Sequence, residues 1–383
     1  MRIWLMVALV ALLAAACGGD DDPAAQPTDG TTAVTNDSAS AEPAAAAAAG
    51  VPLGGLRELL EFLPLSAQDG FRLQYTNYAL ANAVAGVTDT SSLLRLQGRE
   101  FRDAGLHYDF GPFPWFGGEM LFFLDANPSL LVLYDGLERA LGASWDSGLL
   151  LQLGLGSFEQ AEVAQTLRDL GFSDRPLGDA VHLSVTDFQP GTLDNERAPA
   201  LGLDLRDVIA GDGFVLFVRD DPADLAGLSG GATLAEDPTL AAFAQELDGL
   251  PVFGAYLIDT RENGFPLPGA LNAEPGPVQL LPRYEALGIA TGVDEGGFFA
   301  LAMMWFASDA EAGESVALIE SNFELAQSVL FGDRFGDQFE LTEVNTTGQM
   351  ARVLLRPIGK IINDPGAFVQ MATNRDLAFI ASR

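Results

Sequence analysis

Two histidines, one cysteine and one lysine leave few of the usual catalytic side chains in a chain of 383 residues. His107 and His182 lie far apart, and neither has a partner at metal-ligand spacing, so the sequence holds no zinc pattern. His182 falls in an alternating stretch and reads as a half-buried strand residue, not a general base. There is no Gly-x-Ser-x-Gly elbow, no phosphate-binding glycine loop and no His-Glu-x-x-His helix, and no Ser-x-x-Lys precedes Lys360. Carboxylates number 53, too many for a pair to be informative by itself. Two sets have the oxygen-rich setting that calcium uses: Asp220, Asp221 and Asp224 at a strand-to-helix corner, and Asp333 and Asp337 among glycines in a polar loop. Helix capping before Pro222 and solvated charge explain the same residues. Asp259 to Gly264 starts like an EF-hand loop, but Arg261 stands where the third-position ligand must be. No cofactor is implied, and calcium is the one ion the pattern admits.

The remaining reactive group is Cys17. It follows a basic start, Met1-Arg2, and an apolar run from Ile3 to Ala16 that is short for a bilayer span and ends in Ala14, Ala15 and Ala16. The run Leu13-Ala14-Ala15-Ala16-Cys17 resembles the bacterial lipobox, in which the cysteine thiol is lipidated and becomes the mature N-terminus. It departs in one respect: the large aliphatic residue is Leu13, one position earlier than usual, and Ala14 takes its place. Residues 1–16 therefore read as a lipoprotein signal peptide and Cys17 as the lipidation site. The start Cys17-Gly18-Gly19-Asp20 is similar to the mature ends of many actinobacterial lipoproteins. This resemblance implies an exported protein held by lipid on the outer face of the cytoplasmic membrane, or on the outer membrane in a diderm. Acyl chains then make the membrane a partner.

Composition narrows the remaining partners. The 53 acidic residues against 20 basic ones give a formal charge of −33, which repels nucleic acid and anionic lipid and attracts cations. With Cys17 lipidated, no disulfide can form within the chain, so stability must come from burial. Residues 17–50 are mostly Gly, Asp, Pro, Thr, Ser and Ala and cannot bury enough surface to offset chain entropy, so they read as a disordered tether.

Beyond residue 50 the sequence predicts an α+β fold. Four times an apolar strand runs into a capped helix. The first unit is Phe71 to Tyr75, with Asn77 as N-cap of a helix that stops at Gly86. The second is Leu149 to Leu155, with Ser157 and Gln160 as a capping box and Phe158, Ala161, Ala164, Leu167 and Leu170 on the apolar face. Phe214 to Val218 followed by Asp221-Pro222 is the third. The fourth is Phe298 to Phe306, with Ser308 and Glu311 as a capping box and Val316, Ile319 and Phe323 as the stripe. Further strands are predicted at 180–185, 252–258, 284–292, 339–344, 352–356 and 377–380, and glycine-bounded pairs predict a mixed or antiparallel sheet. The second and fourth units resemble each other, so we read two duplicated halves of split β-α-β type, with helices on one face of each sheet. The regions are 51–264, a Pro-rich loop or junction at 265–282, and 283–383.

The segments Tyr75-Thr76-Asn77 with Ala85-Gly86, and Leu170-Gly171-Phe172, resemble a group of actinobacterial envelope lipoproteins of uncharacterised function. No catalytic residues come with that resemblance. The most concentrated recognition signal is Tyr108, Phe110, Phe113, Trp115 and Phe116 on a segment broken by Pro112, Pro114, Gly117 and Gly118. Such aromatics form a binding surface for a ligand or partner, or else plug a core. Arg95, Arg99 and Arg102 share one face if their segment is helical, and pairing with nearby acids is their simplest use. The chain thus reads as a lipid-anchored extracytoplasmic protein that binds an envelope partner or ligand without catalysis. The alternative is an envelope hydrolase using a carboxylate pair, acting on glycans.

Overall fold

A computed structural model describes residues 51, 53–65, 70–86, 132–146, 150–169, 171–177, 180–184, 207–218, 225, 230–265, 277–359 and 366–383. Cys17, the aromatic segment with Tyr108, Phe110, Phe113, Trp115 and Phe116, the arginines at 95, 99 and 102, and Asp220, Asp221 and Asp224 lie outside these residues. The described residues belong to one compact unit, Ser38–Arg383.

Among them the fold is α+β, built on one antiparallel sheet of twelve strands. In chain order these are β1 Phe71–Asn77, β2 Leu137–Trp145, β3 Leu150–Gly156, β4 Ser173–Leu177, β5 Ala180–Ser184, β6 Asp207–Gly211, β7 Phe214–Val218, β8 Val252–Asp259, β9 Tyr284–Asp294, β10 Gly297–Phe306, β11 Phe339–Thr347 and β12 Met350–Pro357. Their spatial order is β11-β12-β10-β9-β8-β1-β2-β3-β7-β6-β5-β4. Strands on both sides of the Pro-rich stretch join the same sheet, because β8 pairs with β1 through Tyr75↔Ala255 and with β9 through Ala255↔Ala290.

The helices are α1 Leu56–Leu60, α2 Tyr78–Ala85, α3 Val132–Asp135, α4 Gln160–Asp169, α5 Pro238–Asp248, α6 Asp309–Leu325, α7 Phe335–Gln338 and α8 Gly366–Thr373. The first strand-to-helix unit forms as its sequence predicts. Asn77 Oδ1 accepts the Leu80 N–H at 3.0 Å, and Gly86 ends α2 in the left-handed region at φ 67°. The fourth does too, with Ser308 Oγ accepting the Glu311 N–H at 3.3 Å and Ser308 donating to the Glu311 carboxylate. Its buried stripe is Ala312, Ser315, Ile319, Asn322 and Phe323, with Val316 only half-buried.

The second unit differs at its cap. The Gln160 N–H is accepted at 3.2 Å by Asp212 from the β6–β7 turn, and the Gln160 side-chain amide bonds the Ala210 carbonyl. A tertiary partner thus replaces the local Ser157 box, and the helix is rotated so that Val163 is buried where Ala161 was expected. The segment at 377–380 is also not a strand. Ala378–Ile380 is a 3₁₀ turn, and its apolar run fills a core without needing a ladder.

Two apolar layers lie on the sheet. On one face Leu73, Tyr75, Leu141, Leu153, Leu257, Leu301 and Met303 pack with α1 and α5, whose Leu240, Phe243 and Leu247 point inward. On the other, Ile289, Ala302, Met304, Val353 and Leu355 pack with α6, α8 and the C-terminal turn through Ile319, Phe323, Phe368, Met371 and Phe379. Helices therefore cover both faces, where the sequence predicted one. The reason is in β9 and β10: successive residues feed opposite layers, so these strands are continuous apolar runs and need two covers.

Phe379 packs edge-on against Phe323 and Phe335, with centroids 5.5 and 5.0 Å away, and it is fully buried. Phe379→Ala should cost about 3–5 kcal/mol, read as a lowered denaturant midpoint with unchanged slope.

Candidate functional site

The C-terminal half of α6 is locked to the body of the protein by polar as well as apolar contacts. Asn322, buried on the inner side of the helix, accepts the Gln279 N–H at 2.8 Å and donates to the carbonyls of Gln279 and Phe379. Beyond the helix the chain leaves and returns through a pinched loop. Gln327 bridges Arg334, the Ser328 N–H bonds the Asp333 carbonyl, and the Phe335 N–H bonds the Ala326 carbonyl.

Asp376, only 1% exposed, holds this loop from below. Its carboxylate accepts the Ser328 hydroxyl at 2.6 Å and the N–H groups of Val329 and Leu330 at 2.7 and 2.9 Å. Three donors satisfy a buried charge that would otherwise be costly. The loop so fixed leaves Leu330 and Phe331 40% and 39% exposed, beside Leu325 at 44% at the end of α6.

Between α6, α7 and the start of β11 lies a cleft of about 440 Å³. Phe323, Phe339, Leu341 and Ile358 form its apolar surface, and Glu324, Arg334, Asp337 and Glu340 its polar one. All three of these carboxylates are on exposed residues. The Gln338 side chain, at the corner between Asp337 and Phe339, is buried with both its amide oxygen and its amide nitrogen unbonded. Such a group costs free energy until it is paired.

Of the sequence-predicted residues, Asp337 lines this cleft and Asp333 lies on the loop leading into it. Among the described residues no three His, Cys, Asp or Glu side chains gather in a way that could hold a metal ion. Arg261, which breaks the EF-hand pattern, folds back on Asp259 with contacts of 2.6 to 3.1 Å. His182 is a buried strand residue whose Nε2 is 2.7 Å from Asp207 Oδ1 on the neighbouring strand.

Two other carboxylates have perturbed acidities with structural causes. Burial pushes Asp248 up, while the Leu56 and Arg57 N–H groups it accepts at the start of α1 pull the other way. Burial also pushes Asp259 up, but the Arg261 guanidinium and the Arg261 and Gly70 N–H groups outweigh it and hold its carboxyl below the usual range. The cleft itself was not legible in the sequence. Its apolar residues are read there as core, and its acids are lost among many others.

Asp376→Ala strands a hydroxyl and two N–H groups, so it should cost about 2–3 kcal/mol and speed amide exchange in residues 327–334. The Asp259 carboxyl, acidified by folding, contributes its full stability above the unfolded value of about 3.9 and loses it as pH falls through the lower folded value. Asp259→Asn should therefore destabilise at neutral pH, and the deficit should shrink on acidification.

No family model matches the sequence, and no curated protein matches it. Among solved structures, crystal form I of TP0453 is similar at 11% identity and a TM-score of 0.38, covering 82% of this chain and 96% of that one. Crystal form III of the same protein matches at 10% identity and a TM-score of 0.38, covering 81% and 96%.

Proposed function

We propose that the protein is a lipid-anchored extracytoplasmic binding protein without catalytic activity, tethered through Cys17 and engaging a partner or ligand at the cell envelope. The observation that carries the binding half is the pinned loop with exposed Leu330 and Phe331, next to a cleft whose apolar surface is ringed by solvated charge. A rigid apolar tip beside a polar rim is the arrangement of an interaction surface. The aromatic segment with Tyr108, Phe110, Phe113, Trp115 and Phe116 is proposed as a second contact region.

A hydrolase acting with a carboxylate pair is the weaker reading. Such an enzyme needs one carboxyl kept protonated by an apolar setting. Glu324, Asp337 and Glu340 are exposed, and Asp248, which burial does push up, is occupied at the start of α1.

We also propose that the two halves are duplicates. In each half a hairpin (β2–β3 or β9–β10) is followed by a helix (α4 or α6) and an edge strand (β4 or β11); the chain then returns to the hairpin through three strands in the first half and through β12 alone in the second.

The anchor is tested by Cys17→Ser. The variant should lose membrane fractionation or remain unprocessed. Normal processing with unchanged membrane association would overturn the anchor.

A further inference from the structure

Among the described residues the sheet ends in two unpaired edges, and they are built differently. β4 is five residues long and contains Pro176, which has no N–H to offer an added strand. β11 is nine residues long, has no proline, and pairs only with β12. Its open side can be worked out from its two ends. The two-residue turn Gly348-Gln349, with Gly348 at φ 58°, makes Thr347 and Met350 a hydrogen-bonded pair. Alternation then puts Asn345 and Glu343 in the ladder and turns the N–H and C=O groups of Val344 and Thr346 outward. At the other end the Ile358 N–H bonds the Gln338 carbonyl at 2.7 Å, which turns the backbone of Leu341 outward as well.

A bulge at Thr342 separates the two stretches and keeps the side chains of Leu341 and Val344, three residues apart, packed on the same core. The open edge begins in the cleft, since Phe339, Glu340 and Leu341 line it.

We propose that this edge receives an extended polypeptide segment with alternating basic and apolar side chains by strand addition, its apolar residues seated against the half-buried Leu341 and Ile358. The proposal rests on the partner-binding reading above and names the partner's chemistry. Charge decides against a second copy of this chain: Glu340 on β11, with Glu324 and Asp337 beside it, would face its own like, whereas Glu343 is already paired with Arg352 at 3.1 Å. The same carboxylates attract arginine or lysine, and Arg334 only partly offsets them. Backbone pairing supplies affinity, and the charges supply selectivity.

The test uses the full chain and two short synthetic peptides, one alternating arginine and valine and one alternating glutamate and valine, followed by fluorescence anisotropy. The arginine peptide should bind, and the glutamate peptide should bind at least about tenfold more weakly. Val344→Pro removes an outward N–H and no bond to β12, so it should weaken binding at least about tenfold, while the lost packing of the partly buried Val344 side chain lowers the melting temperature without unfolding the chain. Glu324→Lys with Glu340→Lys should weaken it similarly. Should Val344→Pro fold poorly, an arginine peptide methylated on alternate backbone nitrogens replaces it and must bind the unaltered chain more weakly. Binding of neither peptide, equal binding of both, or full affinity of both Val344→Pro and the methylated peptide would overturn the proposal. Fractionation of Cys17→Ser reads the anchor independently, so a failure here is distinguishable from a failure of the lipoprotein reading.

Discussion

The β9–β10 hairpin is buried on both sides, and the helices are placed to cover both. Every residue of Ala286–Val293 in β9 and of Gly297–Met304 in β10 is buried. Alternate side chains enter opposite layers, Leu301 and Met303 on one side, Ala300, Ala302 and Met304 on the other. Each fully buried large side chain contributes roughly 1.5–3 kcal/mol, so neither face of the hairpin can be left to water. The chain meets this with α1 and α5 above and α6, α8 and the C-terminal turn below. Close packing at Gly292 shows how little slack remains, since a Cβ there would fall 2.2 Å from the Pro251 carbonyl oxygen and 2.5 Å from the Phe299 ring.

The candidate site follows from that arrangement. Because α6 must cover β10 and β12, its C-terminal end reaches the border of the sheet, where β11 finishes the ladder. The aromatic cluster of Phe323, Phe335 and Phe379 and the buried hydrogen bonds of Asn322 hold the helix in place. Asp376 then fixes the loop that follows. A cleft beside the outer edge of β11 is thus the outer consequence of an inner packing requirement. On the other side of α1, the bond from the Tyr75 hydroxyl to the Gly54 carbonyl and the Asp248 contacts tie the start of the described chain to the same sheet.

Much of the fold was legible in local chemistry. Asn77 and Gly86 bracket α2, Ser308 starts α6, and the glycines between Val293 and Phe298 mark the β9–β10 hairpin, because caps and turns are decided within a few residues. What depended on distant partners was not legible. Gln160 takes its cap from Asp212, and the apolar run at 377–380 is helical because it plugs a core. α5 has a local start signal in Asp237-Pro238, with Asp237 accepting two N–H groups. At the site, the sequence singled out Asp337 for its charge, while Phe323, Phe339 and Asp376 came together only through folding.

Native-state amide exchange on the full chain reads the buried hairpin and the open edge together. Amides of Ala286–Val293 and Gly297–Met304 should exchange only through global unfolding, while those of Leu341, Val344 and Thr346 should exchange fast beside protected Glu343 and Asn345. Uniform protection along β11, equal to that of β10, would mean that the edge is covered and closed to an added strand.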